Sequence, residues 1–363
     1  MNNGTKSFGE VNFGNAQLGD KRRTDRLVRT ADLMCRRPGG SLPQKLHCPN
    51  DLRGAYRLFQ CDEVTHASIL KPHQQVTHEK MAALERPVLC LHDATELDYT
   101  THRSLNRLGQ IGNGKNRGYI AQNSLAVDPQ TREAIGLCNQ VLHRRVKVKK
   151  GETAPEKRKR KSRESLVWLH GTADLPADWN IVDVCDQGAD TFEFLEHESK
   201  SGRRFVIRSA YSRGTLPGHD AGDDEAILLR DYARALPASG TWTLQVTSKS
   251  EMKSTKKKGK KKLVKRIKRQ AMMAVSFAPL RIQPPQQKLG NHGNNPLPMW
   301  VVRVWEVDPP QGQERLEWFL LTNHPVENFD DAYQVVEWYE CRWVIEVTQA
   351  QCVSRSGLYQ LAA

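Results

Sequence analysis

Three acidic residues are spaced so that a folded chain could bring them together for metal-ion chemistry. Asp93 follows the apolar run PVLCLH and Asp186 follows WNIVDVC, so each is predicted to close a buried strand. Glu346 lies in a late helical segment. Converging carboxylates cannot all stay ionised unless cations neutralise them, and Mg²⁺ prefers oxygen ligands, with Mn²⁺ as an alternative. Two such ions about 4 Å apart would support hydrolysis and transesterification of phosphodiesters.

The segment that carries Glu346 is predicted to form a single amphipathic helix. Its sequence over 335–351 is VVEWYECRWVIEVTQAQ, and Asn328 upstream suits the N-cap position. Tyr339, Arg342 and Glu346 stand at i, i+3 and i+7, which predicts that they share one helical face.

Apolar runs predict the strands that would hold the two aspartates. Single strands are predicted within 87–95, 179–190, 203–211 and 317–325, and two strands joined by a turn within 118–143. The region 240–305 has several strand-like runs around a lysine-rich stretch, which indicates a β-rich subdomain. Helical patterns between the strands indicate an α/β fold class.

The net charge of +14 is concentrated in two segments. Residues 144–163 and 253–269 together hold 22 Lys and Arg against two Glu, so the remainder of the 363-residue chain has a net charge of −6. Concentrated basic segments favour a polyanion such as DNA, and Lys256, Lys257 and Lys258 lie in the second. The alternatives are solvated loops or a localisation signal.

Arginines also crowd one side of a predicted helix near the N-terminus. Residues 17–37 place Leu27 and Met34 on an apolar stripe and Arg22, Arg23 and Arg26 on the opposite side. Two further short helices are predicted within 50–73. A small helical unit with such a face is typical of DNA-binding domains, although a solvated face is equally compatible with the pattern.

Composition limits the remaining classes of function. Mean hydropathy is −0.65 and the apolar runs are short, so we expect no membrane partner. The first residues lack a signal-peptide pattern, so we expect a cytoplasmic, nucleoid-associated protein. The eight cysteines show no zinc-ligand spacing and are expected to be reduced thiols.

Six motifs in order resemble the insertion-sequence-4 family of DDE transposases. They are LGDKRRTDRL with GAYRLF, CLHDAT around Asp93, NRGYIAQNSLAVD, the DxxAD pattern from Asp186 to Asp190, WFLLTNHPV, and the Y-x2-R-x3-E pattern of Tyr339, Arg342 and Glu346. The resemblance runs from about residue 8 to residue 346.

This resemblance implies a ribonuclease-H-like mixed sheet with an inserted β-rich subdomain. The implied domains are a helical, end-binding domain at 1–75 and a catalytic domain at 76–363, with a basic insertion at about 212–310 and an atypical tail at 347–363. The implied activity is cut-and-paste transposition by a homodimer: nicking, hairpin formation and strand transfer at inverted-repeat ends. The family's catalytic and metal-binding positions fall on Asp93, Asp186 and Glu346.

The resemblance also implies which residues contact DNA. Arg22, Arg23 and Arg26 would bind the end sequence, and the three lysines at 256–258 would contact DNA from the insertion. The positions implied near the cleaved strand are Arg208, Trp318, Tyr339, Arg342 and Trp343. For either tryptophan, core packing is the alternative to stacking on a base.

The match to the family pattern ends just after Glu346. Val353 stands where the pattern has a lysine, seven residues after the glutamate. We expect a C-terminal truncation or a frameshift near codon 347, with impaired transposition. The alternative function is a catalytically inactive protein that binds transposon ends and inhibits full-length partners. A ribonuclease of the same sheet architecture is a third hypothesis, but it leaves the arginine-rich N-terminal unit without a role.

Overall fold

The chain folds into two compact units, which are described separately. The computed structural model describes residues 6–37, 39–220, 225–254, 261–287 and 290–355. The first unit comprises Met1–Val184 together with Cys341–Ala363, and the second comprises Cys185–Glu340.

The first unit begins with five helices that enclose two small apolar clusters. The helices are α1 (Phe8–Phe13), α2 (Lys21–Arg36), α3 (Leu42–Lys45), α4 (Pro49–Phe59) and α5 (His66–Ala82). Side chains at the helix starts satisfy backbone N–H groups that have no partner inside a helix. Ser7 and Glu10 form a capping box on α1, Asp20 caps α2, and Thr65 caps α5. Leu27 and Met34, the predicted apolar stripe of α2, are both buried.

A sheet follows these helices in the first unit. Its strands are β1 (Val88–Asp98), β2 (Gly109–Gln110), β3 (Arg117–Val127), β4 (Ala134–His143) and β5 (Ile181–Cys185), with α6 (Ala154–Lys159) and α7 (Leu166–Ala173) between β4 and β5. The order is β2-β3-β1-β5, and β4 also pairs with β3. β3 runs antiparallel to β1, β2 and β4. The two strands predicted within 118–143 are confirmed.

The sequence predicted that Asp93 closes its strand, and this prediction is wrong. β1 continues through Asp98 because its second half pairs in register with β3, from Asp93 opposite Asn123 to Asp98 opposite Gly118. Asp186, in contrast, directly follows β5, as predicted.

The second unit is dominated by antiparallel strands. Its elements are α8 (Phe192–Ser199), β6 (Arg204–Arg208), β7 (Gly214–Pro217), β8 (Ile227–Leu228), α9 (Leu229–Ala235), β9 (Gly240–Val246), β10 (Lys249–Ser254), β11 (Lys261–Arg266), β12 (Arg269–Ile282), β13 (Leu297–Glu306), β14 (Glu317–Thr322) and α10 (Phe329–Glu340). The strand order is β6-β14-β13-β12-β7-β8, with β9 also on β12, while β10 and β11 pair with each other. The β-rich character predicted for 240–305 is confirmed.

The predicted helix over 335–351 is two helices rather than one. α10 ends at Glu340, residues 341–342 form a turn, and α11 (Trp343–Arg355) begins after it in the first unit. At the junction, the N–H groups of Val344 and Ile345 bond to carbonyls three residues back, so the α-helical bonding pattern is interrupted. No glycine or proline marks this break, so periodicity alone could not predict it. The N-cap prediction holds, because the N–H of Asp331 donates to Oδ1 of Asn328 at 3.0 Å.

The predicted α/β class is confirmed, since helices flank mixed sheet in the described residues. The ribonuclease-H-like arrangement and the domain boundaries stay predictions. Among the helices that the structure describes, none is long and apolar enough to cross a bilayer.

Candidate functional site

The arginines of α2 occupy very different surroundings. The side chain of Arg22 is 91% exposed and lies beside the capping Asp20, at 3.2 Å. Arg23 is held more closely, with Nη1 donating to the carbonyl of Leu18 at 2.9 Å and pairing with Glu63 at 3.1 Å. Arg22 is therefore the more open of these two guanidinium groups for a phosphate contact.

Arg26 is held by an acidic residue on the neighbouring helix. Its Nη1 donates to Oδ1 of Asp51 at 3.0 Å, and Arg29 forks onto both oxygens of the same carboxylate at 2.6 and 2.9 Å. The hydrogen bonds from Arg29 lower the pKa of Asp51. Gly54 makes the approach possible, because a Cβ there would lie 2.7 Å from Cζ of Arg26. Arg26 therefore joins α2 to α4 in addition to any contact with DNA.

Replacing Asp51 by asparagine should lower the melting temperature of the helical domain by a few degrees. The reason is that two guanidinium groups would lose their shared anion. Because the folded pKa of Asp51 lies below its ordinary value of 3.8, the stabilisation is present above that pH and lost as the pH falls through the folded pKa. Thermal melts at neutral and acidic pH should therefore differ between wild type and variant only at the higher pH. The exposed Asp25→Asn serves as the control, and an equal shift in both variants would refute this role.

The first unit brings two of the three predicted catalytic acids to a common arginine. Nη1 of Arg342 lies 3.6 Å from Oδ1 of Asp93, and its Nη2 forms an ion pair with Glu346 one helical turn further on. The side chains of Asp93 and Arg342 are mostly buried, at 17% and 18% exposed, whereas Glu346 is 53% exposed. Asp93 on β1 and Glu346 on α11, far apart in sequence, thus form a pair of carboxylates that the guanidinium of Arg342 bridges.

Gln349 fixes α11 against β1, and the sequence analysis did not find it. Its Nε2 donates to the backbone carbonyl of Asp93 at 3.3 Å, and its Oε1 accepts from the hydroxyl of Thr95 at 2.8 Å. Gln349 is buried, and it lies three residues after Glu346 on the same helix. The only sequence signal was this i+3 spacing.

A buried Ser–His–Asp set lies on the opposite face of β1 from Asp93. His92 contacts Oγ of Ser124 through Nδ1 at 2.8 Å and Oδ1 of Asp183 through Nε2 at 2.8 Å. All three residues have no exposed surface, and the Ser124 hydroxyl donates to the carbonyl of Gly171 at 3.0 Å. No substrate could reach such a hydroxyl, so the set links β1, β3 and β5 rather than acting as a nucleophile.

Asp186, the third predicted acid, belongs to the second unit. Its carboxylate accepts from the N–H of Gly188 at 2.7 Å and caps a short 3₁₀ turn, Gln187–Ala189. Asp190, the other acid of the DxxAD pattern, is buried and accepts from Arg213 at 2.5 Å and from the N–H of Ala210 at 2.7 Å. Asp190 therefore fixes the segment after β6, while Asp186 is the more accessible of the two.

Most of the other predicted DNA-contacting residues are also described. In the second unit, Tyr339 is buried with its ring centroid 6.2 Å from that of Trp318, and Arg208 pairs with Leu320 in the register of β6 and β14. Trp343 is 47% exposed at the start of α11 in the first unit. Lys256, Lys257 and Lys258 lie outside the described residues. The predicted roles of these residues in DNA binding stay predictions.

The donor chemistry at Asp93 and Glu346 fits a divalent cation. Both are carboxylates, both already approach a single positive charge on Arg342, and Mg²⁺ binds through one or two carboxylates together with substrate phosphate. Within the described ranges, no group of three or more His, Cys, Asp or Glu residues that could hold a metal ion is found. The assignment of Asp93, Asp186 and Glu346 as metal ligands therefore stays a prediction.

A comparison with known protein families bears on the N-terminal helices. Residues 5–64 match the family model described as Transposase DNA-binding. The match covers α1 to α4, and so includes Arg22, Arg23, Arg26 and the Asp51 that holds the last of them. The prediction that these helices form a DNA-binding domain is thereby supported, and DNA is supported as a partner.

Proposed function

We propose that the chain is a metal-dependent DNA transposase of the insertion-sequence-4 type, which cuts and rejoins DNA at transposon ends as a homodimer. The observation that carries the proposal is the joint occurrence of two features in the first unit. Residues 5–64 match a transposase DNA-binding model, and Asp93 and Glu346 approach one cationic side chain. The first feature binds DNA and the second supplies the chemistry for cutting it.

The helical domain would bind the end sequence through arginines of α2. Arg22 is open to phosphate, whereas Arg23 and Arg26 are oriented by Glu63 and Asp51. An arginine oriented in this way loses less side-chain freedom when it binds a phosphate. We assign backbone contact to Arg22 and orientation-dependent contacts to the other two.

The catalytic residues would be Asp93, Asp186 and Glu346, holding Mg²⁺ or Mn²⁺. When bound, the cations supply activation of water or a 3′-hydroxyl and stabilise the leaving oxygen. Gln349 positions Asp93 and Glu346 by tying α11 to β1. Arg342 balances the two negative charges, and its planar fork is suited to the phosphate of the cleaved strand.

Stacking side chains would hold the end of the cut strand. The half-exposed indole of Trp343 would stack on a base, and such stacking contributes about 1–3 kcal/mol per base. Trp318 and Tyr339, which contact each other, and Arg208 on β6 complete the proposed set in the second unit.

The second candidate function is end binding without cutting. It is favoured by Val353, which replaces the lysine of the family pattern and cannot neutralise a phosphate. In this case the chain would occupy transposon ends and inhibit full-length partners.

One experiment separates the two candidates. The full chain is incubated with a supercoiled plasmid that carries the DNA flanking its reading frame, in Mg²⁺, in Mn²⁺ or in EDTA. A transposase should nick or linearise the plasmid only with metal, while binding to labelled flanking duplex persists in EDTA. Binding without cutting under all conditions would support the second candidate. Absence of both binding and cutting would refute both.

A further inference from the structure

The first unit contains a groove that no step of the proposed mechanism uses. It has a volume of about 1030 Å³ and lies between two stretches of chain, 108–117 around β2 and the start of β3, and 143–164 after β4. It is separate in sequence from the helices matched at 5–64 and from the acids at 93 and 346. Most of the second stretch is the basic segment 144–163 noted in the sequence.

The walls of the groove are strongly positive. One acidic residue, Glu164, lines it, against six basic residues, which are Lys115, Arg117, Arg144, Arg145, Lys147 and Arg160. Clefts lined by one sign of charge raise the local concentration of oppositely charged partners. The charge therefore selects for a polyanion.

Two of the arginines are fixed as parts of the wall. Arg145 forks onto Glu164 at 2.6 and 2.8 Å and donates to the carbonyl of Gly112 at 3.3 Å. This ion pair lowers the pKa of Glu164 and raises that of Arg145, so both stay charged at neutral pH. Arg160 is held by Glu152 at 2.7 Å.

The other basic side chains are open to solvent. Lys115, Arg117, Arg144 and Lys147 are exposed and lie on both sides of the groove. Gly109 allows the two sides to meet at the floor, because a Cβ there would lie 2.6 Å from the carbonyl oxygen of Arg145. The groove is therefore a built feature with fixed walls and exposed cationic rims.

We propose that this groove binds the phosphate backbone of duplex DNA without regard to sequence. The exposed lysines and arginines would contact phosphates, and the two fixed arginines, paired with Glu164 and Glu152, would hold the walls in place. The inference deepens the proposed function and rests on it, because it gives a transposase a surface for DNA other than the transposon end. An acidic protein is the competing occupant, and the same test distinguishes it.

The test compares two triple variants of the full chain that lose the same charge. The groove variant is Lys115→Ala, Arg144→Ala and Lys147→Ala; the control is Lys71→Ala, Lys80→Ala and Arg132→Ala, all exposed and outside both the groove and the two basic segments. Fluorescence anisotropy measures binding to a random-sequence duplex and to a duplex of the flanking DNA over a salt series. The groove variant should bind the random duplex about tenfold more weakly, with a salt slope reduced by about 0.9 for each phosphate that it no longer neutralises. The control should stay within about twofold of wild type.

Each other outcome overturns the inference in a recognisable way. Equal weakening of both variants would show that overall charge, and not the groove, determines binding. If the wild-type chain binds the flanking duplex but not the random duplex, the proposed role of the groove is refuted while the proposed function stands. If it binds neither duplex, both proposals are refuted. If the groove substitutions weaken binding of poly-glutamate but leave binding of DNA unchanged, the occupant is an acidic protein. The single Lys147→Glu variant should also bind the random duplex more weakly than wild type does. Because Lys147 is exposed, this substitution carries little risk to folding.

Discussion

Replacing Asp93 by asparagine should reduce metal-dependent DNA cleavage by about a thousandfold or more, which corresponds to about 4 kcal/mol of transition-state stabilisation. Asparagine keeps the size of the side chain but removes the negative charge that attracts a divalent cation. The remaining acid of the first unit, Glu346, would then be paired with Arg342 alone. The measurement is the rate of nicking of the supercoiled plasmid in Mg²⁺ by wild type and variant.

The same variant should bind flanking duplex as wild type does, because Asp93 lies outside the helices matched to the DNA-binding model. Glu96→Gln is the matched control, since Glu96 lies on the same strand, loses the same charge and accepts from the N–H of Gly112 rather than approaching Arg342. Cleavage should be nearly unchanged in the control. Full cleavage by Asp93→Asn would remove the acid from the mechanism.

The first unit should become less stable by about 3 kcal/mol as the pH falls from about 6.5 to about 4, because of His73. Burial lowers the pKa of His73 to about 4 from its ordinary value of 6.5. Its Nε2 accepts from the N–H of Leu137 on β4 at 3.0 Å, so Nδ1 carries the proton and donates to Asn12 of α1 at 2.9 Å. A proton on Nε2 would destroy the first of these bonds.

The sign follows from the lowered pKa. Above about 6.5 neither the folded nor the unfolded state takes up a proton at this residue, so the stabilisation is complete. Between about 6.5 and about 4, His73 is protonated in the unfolded chain but not in the folded one. The free energy of unfolding therefore decreases as the pH falls through that interval. Hydrogen exchange of α1 and α5 at the two pH values should report the loss.

His73→Gln is the variant that tests this prediction. Glutamine has no titrating group in this range and can still donate and accept, so its stability should depend less on pH than that of wild type. Other histidines of the unit whose pKa burial lowers, His78 and His143, contribute equally to both proteins and cancel in the difference. The exposed His47→Gln should behave as wild type. An unchanged pH profile in His73→Gln would contradict the assignment.

Local sequence patterns determined most of the secondary structure. The apolar stripe of α2 followed from helical periodicity, and the strands around Asp93 and Asp186 and between 240 and 305 followed from apolar and strand-like runs. Asn328 was found as an N-cap because capping depends only on a side chain and the backbone three residues on. Such interactions are short in sequence and therefore visible in it.

Only the tertiary structure decided how the acids and arginines are paired. Asp93 meets Arg342 and Gln349, roughly 250 residues away, and no local pattern encodes contacts made by chain packing. The break at 341–342 puts Tyr339 on α10 and Arg342 in the turn that follows it, although the sequence predicted one continuous helix. Arg26, placed by its spacing on the arginine-rich side of α2, also pairs with an aspartate on another helix because Gly54 leaves room for it. The sequence by itself thus determined which residue types are present and on which elements they lie. Packing between elements decided which charges neutralise one another, because the Coulomb energy depends on distances that only the folded chain sets.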